Sequence, residues 1–469
     1  MQGSRRRLDT QVLIIGNGPA GLALSAFLSG VQPFYNVDQP HQNELIHERL
    51  SADPHLSLLE QDLTWSDQLT DLTSASRPLS ILYDMLVRPG VDTGDPRPSS
   101  LQWEMNLAHE IPHMVIGETS IGGSWNNYDP EMLAVSFAQS LDLPGYSTTE
   151  WLGGTPLVPR LPSCAIASYM ASYAEQLGIQ RNFHCNMKIT SVKKVDDVWV
   201  TEGRSTLDNR PFTICSRYVV LACGKTAPRK LGLVGEETCK NIVYDTKTFK
   251  DRLASDTNLG KEYTIPAISS SSKAVVVLGD GISSADVVRH CLEREIPVIH
   301  VMRRTDRQLR NTMISRLSPT YYGEYNKVHQ MMIGRQVDPL YTRMTSAEVV
   351  DVNEKTVLIS STKGKIDIPY SLLAVCFGRQ SDFDTVLQGK YSFLQYHSEE
   401  DPTLFAAGSF AGDHFVRYLV GGCLHVAKEI KAKHRAQQLN NNNNEASTLR
   451  RKNRCCCTRM MILRGIAFG

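Results

Sequence analysis

Apolar positions along this chain fall in short runs separated by polar, glycine-rich turns. Gln11–Ile15, in TQVLIIG, is a β-branched run with the length and composition of a buried parallel strand. From Leu22 to Leu28 the residues turn helix-forming, and Gly30 can close that helix. The same succession recurs downstream. Ala274 to Leu278 reads as a strand, about Ala285 to Arg294 as a helix, and Val298 to Met302 as a strand. RYVVLACG and SLLAVCFG add strand-sized runs that end in small residues. PFYNV is a poor strand ending at Asp38, and Leu79 to Leu86 reads as helical. Near the end, LFAAG reads as a strand, followed by a loop at Gly412-Asp413 and a helix from about Gly421. None of these runs approaches the ~20 apolar residues that span a bilayer, so no transmembrane segment is expected. Strands alternating with helices give an α/β fold.

The turns carry the chemistry. Gly16-Asn17-Gly18-Pro19-Ala20-Gly21 is a G-x-G-x-x-G between strand and helix. Gly16 permits the tight turn, Gly18 lets a pyrophosphate approach the backbone, and Gly21 lets the helix pack on the sheet. Three arginines before an apolar run also suit a secretory leader. The glycine spacing and the intervening Asp9 favour the nucleotide turn. Asp38 is a candidate for the ribose hydroxyls and equally a solvated loop residue. The second unit carries Gly279-Asp280-Gly281-Ile282-Ser283-Ser284, with Ser284 replacing the third glycine. Arg303 and Arg304 follow its second strand, where NAD recognition would use an acid. Guanidinium groups there suit a 2′-phosphate, which favours NADPH; a solvated basic strand end is the plainer alternative. Asp413, ahead of a helix, suits either a hydroxyl of FAD or a helix cap.

Composition narrows the class. At 469 residues, with 41% hydrophobic and 21% charged, the chain is long enough for two or three globular domains. Fifty basic against 49 acidic side chains give no electrostatic reason to expect nucleic acid or an anionic membrane as partner. The 11 cysteines are scattered, apart from Cys455–Cys457, with no C-x-x-C. That is the usage of a reduced cytosolic protein, and no metal site is expected.

The order of these elements resembles the two-dinucleotide-binding flavoproteins, above all the flavin-containing and N-hydroxylating monooxygenases. The resemblance rests on the paired glycine motifs, on IGGSW with Gly122, Gly123 and Trp125, and on EMLAVSFAQSLDLPG. Within that superfamily, VLIIGNGPAGL, HMVIGETSIGGSW, RPLSILYDMLVRPGVD and LFAAGSFAGDHFVRYLVGGCLHVA resemble the oxidative stress-induced growth inhibitor family, over roughly residues 9 to 430. The resemblance implies FAD at the first glycine motif and NADPH at the second. NADPH would reduce the flavin, and a C4a-hydroperoxide would pass oxygen to a small molecule or a protein side chain. It also implies roles in growth, differentiation, cell death and cytokinesis, in a cytoplasmic protein with cytoskeletal or midbody association and with protein partners.

Two departures qualify the oxygenation. LVGEETCKNIVY supplies Gly235 of the F-x-G-x-x-x-H signature but no histidine, and the flavin-side asparagine has no match around residues 136 to 140. No catalytic side chain is nominated; His414 reads as a structural hydrogen-bonding residue. A disulfide reductase would need a low-pKa dithiol, and Cys223, with Cys215 eight positions away, does not supply one. The remaining rival is an FAD- and NADPH-binding regulator with little or no turnover.

The expected domain plan is an FAD domain from 1–230 and 371–433, with an insertion at about 39–110. An NADPH domain fills 231–370. Residues 434–469, Asn-rich and then Cys-rich, read as disordered, and Cys455–Cys457 as a possible lipidation cluster.

Overall fold

The computed structural model describes residues 7–72, 77–154, 159–255 and 274–464. Strand β1 (Thr10–Ile15) leads through the glycine turn into helix α1 (Pro19–Ser29). Its side chains alternate strictly: Val12 and Ile14 enter a helical core, while Leu13 and Ile15 enter a second core on the opposite face. A strand buried on both faces needs this continuous apolar run. It is the central strand of its sheet, so the opening apolar run is folded core rather than a leader.

After α1 the chain leaves the sheet. Strand β2 (Val31–Tyr35) pairs only with β3 (Leu101–Met105), antiparallel, in a separate two-stranded ribbon. Between them lie helices α2 (Glu44–Ser51) and α3 (Pro78–Val87). The excursion closes on itself, because Asn106 N donates to Gly30 O at 2.9 Å and Ile111 N to Leu28 O at 2.8 Å. The chain then re-enters the sheet as β4 (His113–Ile116), parallel to β1. The insertion thus begins at Gly30 rather than 39, and PFYNV belongs to it. The physical reason is that pairing, not proximity in sequence, decides which strand stands beside β1.

The short helix α4 (Thr148–Trp151) precedes α5 (Ser163–Gln176), which is followed by the edge strand β5 (Phe183–His184). Strands β6 (Met187–Val195), β7 (Val198–Ser205) and β8 (Pro211–Leu221) form an antiparallel meander that returns β8 to the other side of β1. Helices cover one face of this sheet and the meander, with buried Trp199, the other.

The chain passes to a second sheet through β9 (Ala227–Pro228). There β10 (Ile242–Val243), α6 (Thr246–Ser255), β11 (Ala274–Leu278), α7 (Ile282–Leu292) and β12 (Val298–Met302) follow in order. Helices α8 (Asp306–Leu309) and α9 (Gly323–Met332) precede β13 (Tyr341–Thr345). A meander of β14 (Ala347–Val352), β15 (Thr356–Ser361) and β16 (Gly364–Val375) completes the sheet, in the order β13-β12-β11-β16-β15-β14. The alternation repeats: Val275 and Val277 face the helices, Val276 and Leu278 the meander. Strand β16 runs past position 370 to Val375, and β17 (Arg379–Gln380) pairs antiparallel with β9. That two-stranded crossing marks where the inserted domain starts and stops.

The first sheet is finished by β18 (Phe393–Leu394), β19 (His397–Ser398) and β20 (Leu404–Ala406), the last parallel to β8. A turn of helix, α10 (Gly408–Ala411), leads to α11 (Val416–Arg464). This helix begins five residues ahead of Gly421 and continues through the Asn-rich segment that composition marked as disordered. The lysines, arginines, alanines and leucines around the asparagines are good helix formers, which offsets asparagine's weaker propensity.

The two domains are joined by ion pairs in which Arg160 and Asp129 are buried. Arg160 donates to Ala134 O at 2.7 Å and pairs with Glu324 at 2.6 Å, its guanidinium 4.4 Å from the centre of the Tyr322 ring. Lys250 reaches Asp129 and Glu131 at 2.9 and 2.7 Å.

Candidate dinucleotide-binding sites

The first site forms where β1, β4, β8 and β20 end together. Gly16 has φ +123°, and a β-carbon there would overlap the carbonyl of Ala222 in the turn after β8. Only glycine satisfies both demands. Gly21 packs against Gly16 and Val115, the close helix–sheet approach expected of the third glycine. Pro19 opens α1 at its first position, where its missing N–H costs nothing, and Ala20 is buried against Gly408.

A second loop locks onto this turn. Asn17 Nδ2 donates to Ser120 O at 3.1 Å, Gly122 N donates to Asn17 O at 2.9 Å, and a β-carbon on Gly123 would stand 2.8 Å from Gly18 Cα. Gly122 and Gly123 therefore bring the G-G-x-W loop against the phosphate turn. Trp125 lies half-buried on that loop, edge-on to Tyr128 with ring centres 5.5 Å apart. Beside it opens a cavity of about 450 Å³, lined by Ile121, Asn126, Ala167 and Cys185 among others.

The strand beside β1 ends at Ile116, and Glu118 follows two residues later, exposed at the carboxyl edge of the sheet. This is where a dinucleotide domain places its ribose acid. Sequence reading passed over Glu118 and weighed Asp38, which is exposed on the inserted ribbon, away from the sheet. The signal was the string VIGETSIGGSW, with the acid directly after a buried run.

Gly412 and Asp413 lie between α10 and α11. Asp413 is buried, ion-paired with Arg77 from the insertion, and its backbone N–H donates to Gly408 O at 3.0 Å. Burial raises its carboxyl pKa against the pull of Arg77 and Tyr396. Since Gly408 touches Ala20, this turn joins the first glycine motif through one short helix. His414 is exposed, and partial desolvation, with the charge of Lys225, lowers its pKa.

The second site repeats the first. Gly279 has φ +118°, and its β-carbon would stand 2.5 Å from Cys376 O. Gly281 caps α7 in extended backbone, and a β-carbon there meets no heavy atom within 4 Å. The space over the helix N-terminus is open. Ser284 is buried and donates to Gly281 O at 2.7 Å, while Ser283 is exposed in the same first turn. Beneath the turn, buried His300 spans Gly279 O at 2.7 Å and Tyr341 Oη at 2.8 Å. A carbonyl can only accept, so Nε2 carries the proton and Nδ1 accepts from the tyrosine. Arg304 pairs with Asp280 at 2.6 Å, cancelling a carboxylate that would repel phosphate. Arg303, exposed beside it, is without an ion-pair partner among the described residues.

The cysteines with described side chains form no disulfide. All eight in the region with described side chains are free, and burial pushes the Cys223 thiol up to about 12. A thiol so held is protonated and a poor nucleophile. No cluster of three or more metal-ligating side chains exists among the described residues, and no helix there is long and apolar enough to cross a membrane.

No family model matches the chain. The oxidative stress-induced growth inhibitor homologue of Caenorhabditis elegans is 54% identical over 431 residues, covering 90% of this chain and 94% of that protein. The chain belongs to the oxidative stress-induced growth inhibitor family. Solved structures with the same two-domain flavoprotein fold include the bacillithiol disulfide reductase of Bacillus cereus. It has TM-score 0.56 and 14% identity, and covers 90% of this chain and 99% of its own. The ornithine N-hydroxylase of a Kutzneria species has TM-score 0.55 and 12% identity, covering 92% and 99%. At such identities the likeness establishes the fold, a doubly built dinucleotide-binding α/β architecture, for this member of the growth inhibitor family.

Proposed function

We propose that this chain is an FAD- and NADPH-dependent oxidoreductase of the monooxygenase type, acting in growth control as the names of its relatives suggest. One observation carries the reading: two glycine turns, each after a buried parallel strand, start helices at the carboxyl edges of two sheets, and the space over the second helix N-terminus is open. Bound FAD would supply the redox chemistry, accepting hydride from NADPH and delivering electrons to oxygen for transfer to a nucleophilic substrate.

The chain's own task is to bind, orient and exclude water. Gly16, Gly18 and Gly21 admit the FAD pyrophosphate, Glu118 accepts from its ribose, and Gly122, Gly123 and Trp125 close over the turn. Gly412 and Asp413 complete that site from the far end of the chain. Gly279, Gly281, Ser283 and Ser284 hold the NADPH pyrophosphate on α7, and Arg303, with Arg304, meets the 2′-phosphate. The raised pKa of Cys223, at the strand end beside the first glycine turn, argues against disulfide exchange there. The relatives are named for growth control rather than for a reaction, which favours a second reading, a cofactor-binding regulator with little turnover. Oxygen uptake by the flavin-loaded protein on adding NADPH separates the two. Uptake with oxygenated product supports the enzyme, whereas bound NADPH without flavin reduction refutes it and leaves the regulator.

A further inference from the structure

The insertion and the start of α11 enclose a cavity of about 930 Å³ that shares no residue with either glycine turn. Its walls come from α3, from the loops around 41–43 and 88–93, and from residues 412–418. Three arginines line it, and their partners are unequal. Arg77 is paired with Asp413. Arg417 holds Asp84 and Asp92 at 2.6 Å each. Arg88 has only the other oxygen of Asp84, 3.2 Å from its Nε, and Nε, Nη1 and Nη2 all lack a hydrogen-bond partner.

This is an imbalance in a buried place. Arg88 is 7% exposed and Asp84 4%, whereas the Asp92 side chain is 72% exposed at the rim. The nearby Asp142 is partly buried, and its Oδ1 accepts from the backbone and hydroxyl of Thr148, at 2.8 and 2.7 Å. The buried guanidinium of Arg88 thus shares its one buried carboxylate, Asp84, with the partly buried Arg417. A buried charged donor left unmade is costly, and a planar fork of N–H groups is matched by a carboxylate or phosphate. Ile81, Met85, Val91, Phe415 and Tyr418 supply an apolar stretch of the wall, beside the polar His41, Gln42, Asn43, Ser80 and Thr93. The volume lies within the range of small-molecule sites, which combine apolar walls with a few placed polar groups.

We propose that this cavity is a binding site for a small organic oxyanion, a carboxylate or phosphate carried on an apolar body, with Arg88 as its anchor. The inference goes beyond the proposed function: Gly412 and Asp413, assigned there to the FAD site, border this cavity, but its anchor Arg88 and its apolar wall belong to neither dinucleotide site. His414 borders the cavity as well, so an occupant lies beside the turn that closes the first dinucleotide site.

The test is calorimetric titration of the full-length protein with octanoate, octyl phosphate, octanol and inorganic phosphate. Octanoate or octyl phosphate should bind more tightly than both octanol and inorganic phosphate. Arg88→Met should weaken that binding about tenfold or more, the weight of a charge-assisted hydrogen bond, and Arg88→Lys should restore it only partly. Met85→Trp fills the apolar wall without touching the charges and should also abolish binding, which keeps the test valid if Arg88→Met fails to fold. Equal binding of octanol, binding of inorganic phosphate alone, no binding by any probe, or full binding in folded Arg88→Met or Met85→Trp would overturn the proposal.

Discussion

Gly279 and Gly281 lie two residues apart in one turn, and the structure assigns them opposite sensitivities. Gly279→Ala puts a β-carbon at φ +118° and 2.5 Å from the Cys376 carbonyl. A strained left-handed residue costs about 1–3 kcal/mol, and moving a packed strand end adds to that, so a loss of about 2–4 kcal/mol is expected. Gly281→Ala meets nothing within 4 Å and keeps an extended backbone, φ −98°. The weaker capping preference of alanine and the reduced entropy of its unfolded chain offset each other to within about 1 kcal/mol. Its methyl group nevertheless stands where a pyrophosphate must approach the helix N-terminus. Urea unfolding should therefore separate the two variants. NADPH titration should show Gly281→Ala weakened about tenfold or more, with near-native stability. A Gly281→Ala protein that binds NADPH normally, or that loses as much stability as Gly279→Ala, would refute the assignment of the second turn as a phosphate cradle.

Other outcomes follow from the same geometry. Arg303→Ala should lower the preference for NADPH over NADH by about tenfold with little effect on stability, measured as the ratio of the two affinities. Glu118→Ala should lower FAD retention on gel filtration, while Asp38→Ala should not. Burial holds His300 neutral, pushing its pKa down to about 4 from an unfolded value near 6.5. The unfolded chain then takes up the proton first. His300 thus withdraws stability as pH falls from about 6.5 to about 4, by about 3 kcal/mol in all. His113 acts in the same direction, whereas Asp286, lifted to about 6 by burial, acts in the opposite one. The contribution is therefore read as a difference: His300→Gln should shrink the stability gap between pH 7 and pH 4.5 by about 2 kcal/mol. An unchanged gap would show that the ring is not held neutral.

Both glycine turns were legible because strand, turn and helix are local and their apolar runs are short and strict. Ala274–Leu278 and Val298–Met302 emerge with the boundaries the pattern gives. Glu118 was not picked out, because the insertion moves the strand beside β1 about ninety residues from the first motif, and a reading in chain order took PFYNV instead. The limits of the inserted domain were hidden in β9 and β17, two residues each, which pair across about 150 positions and carry no pattern of their own. Arg88 and Arg160 look like ordinary surface arginines in sequence. Their burial depends on α11 and α9, which arrive from far along the chain.

The most direct test of the account is the visible spectrum of the purified full-length protein, before and after NADPH is added without oxygen. Flavin bands that bleach with NADPH, faster than with NADH, are the expected result. A protein that takes up no flavin on reconstitution, or whose bound flavin NADPH cannot reduce, would contradict it.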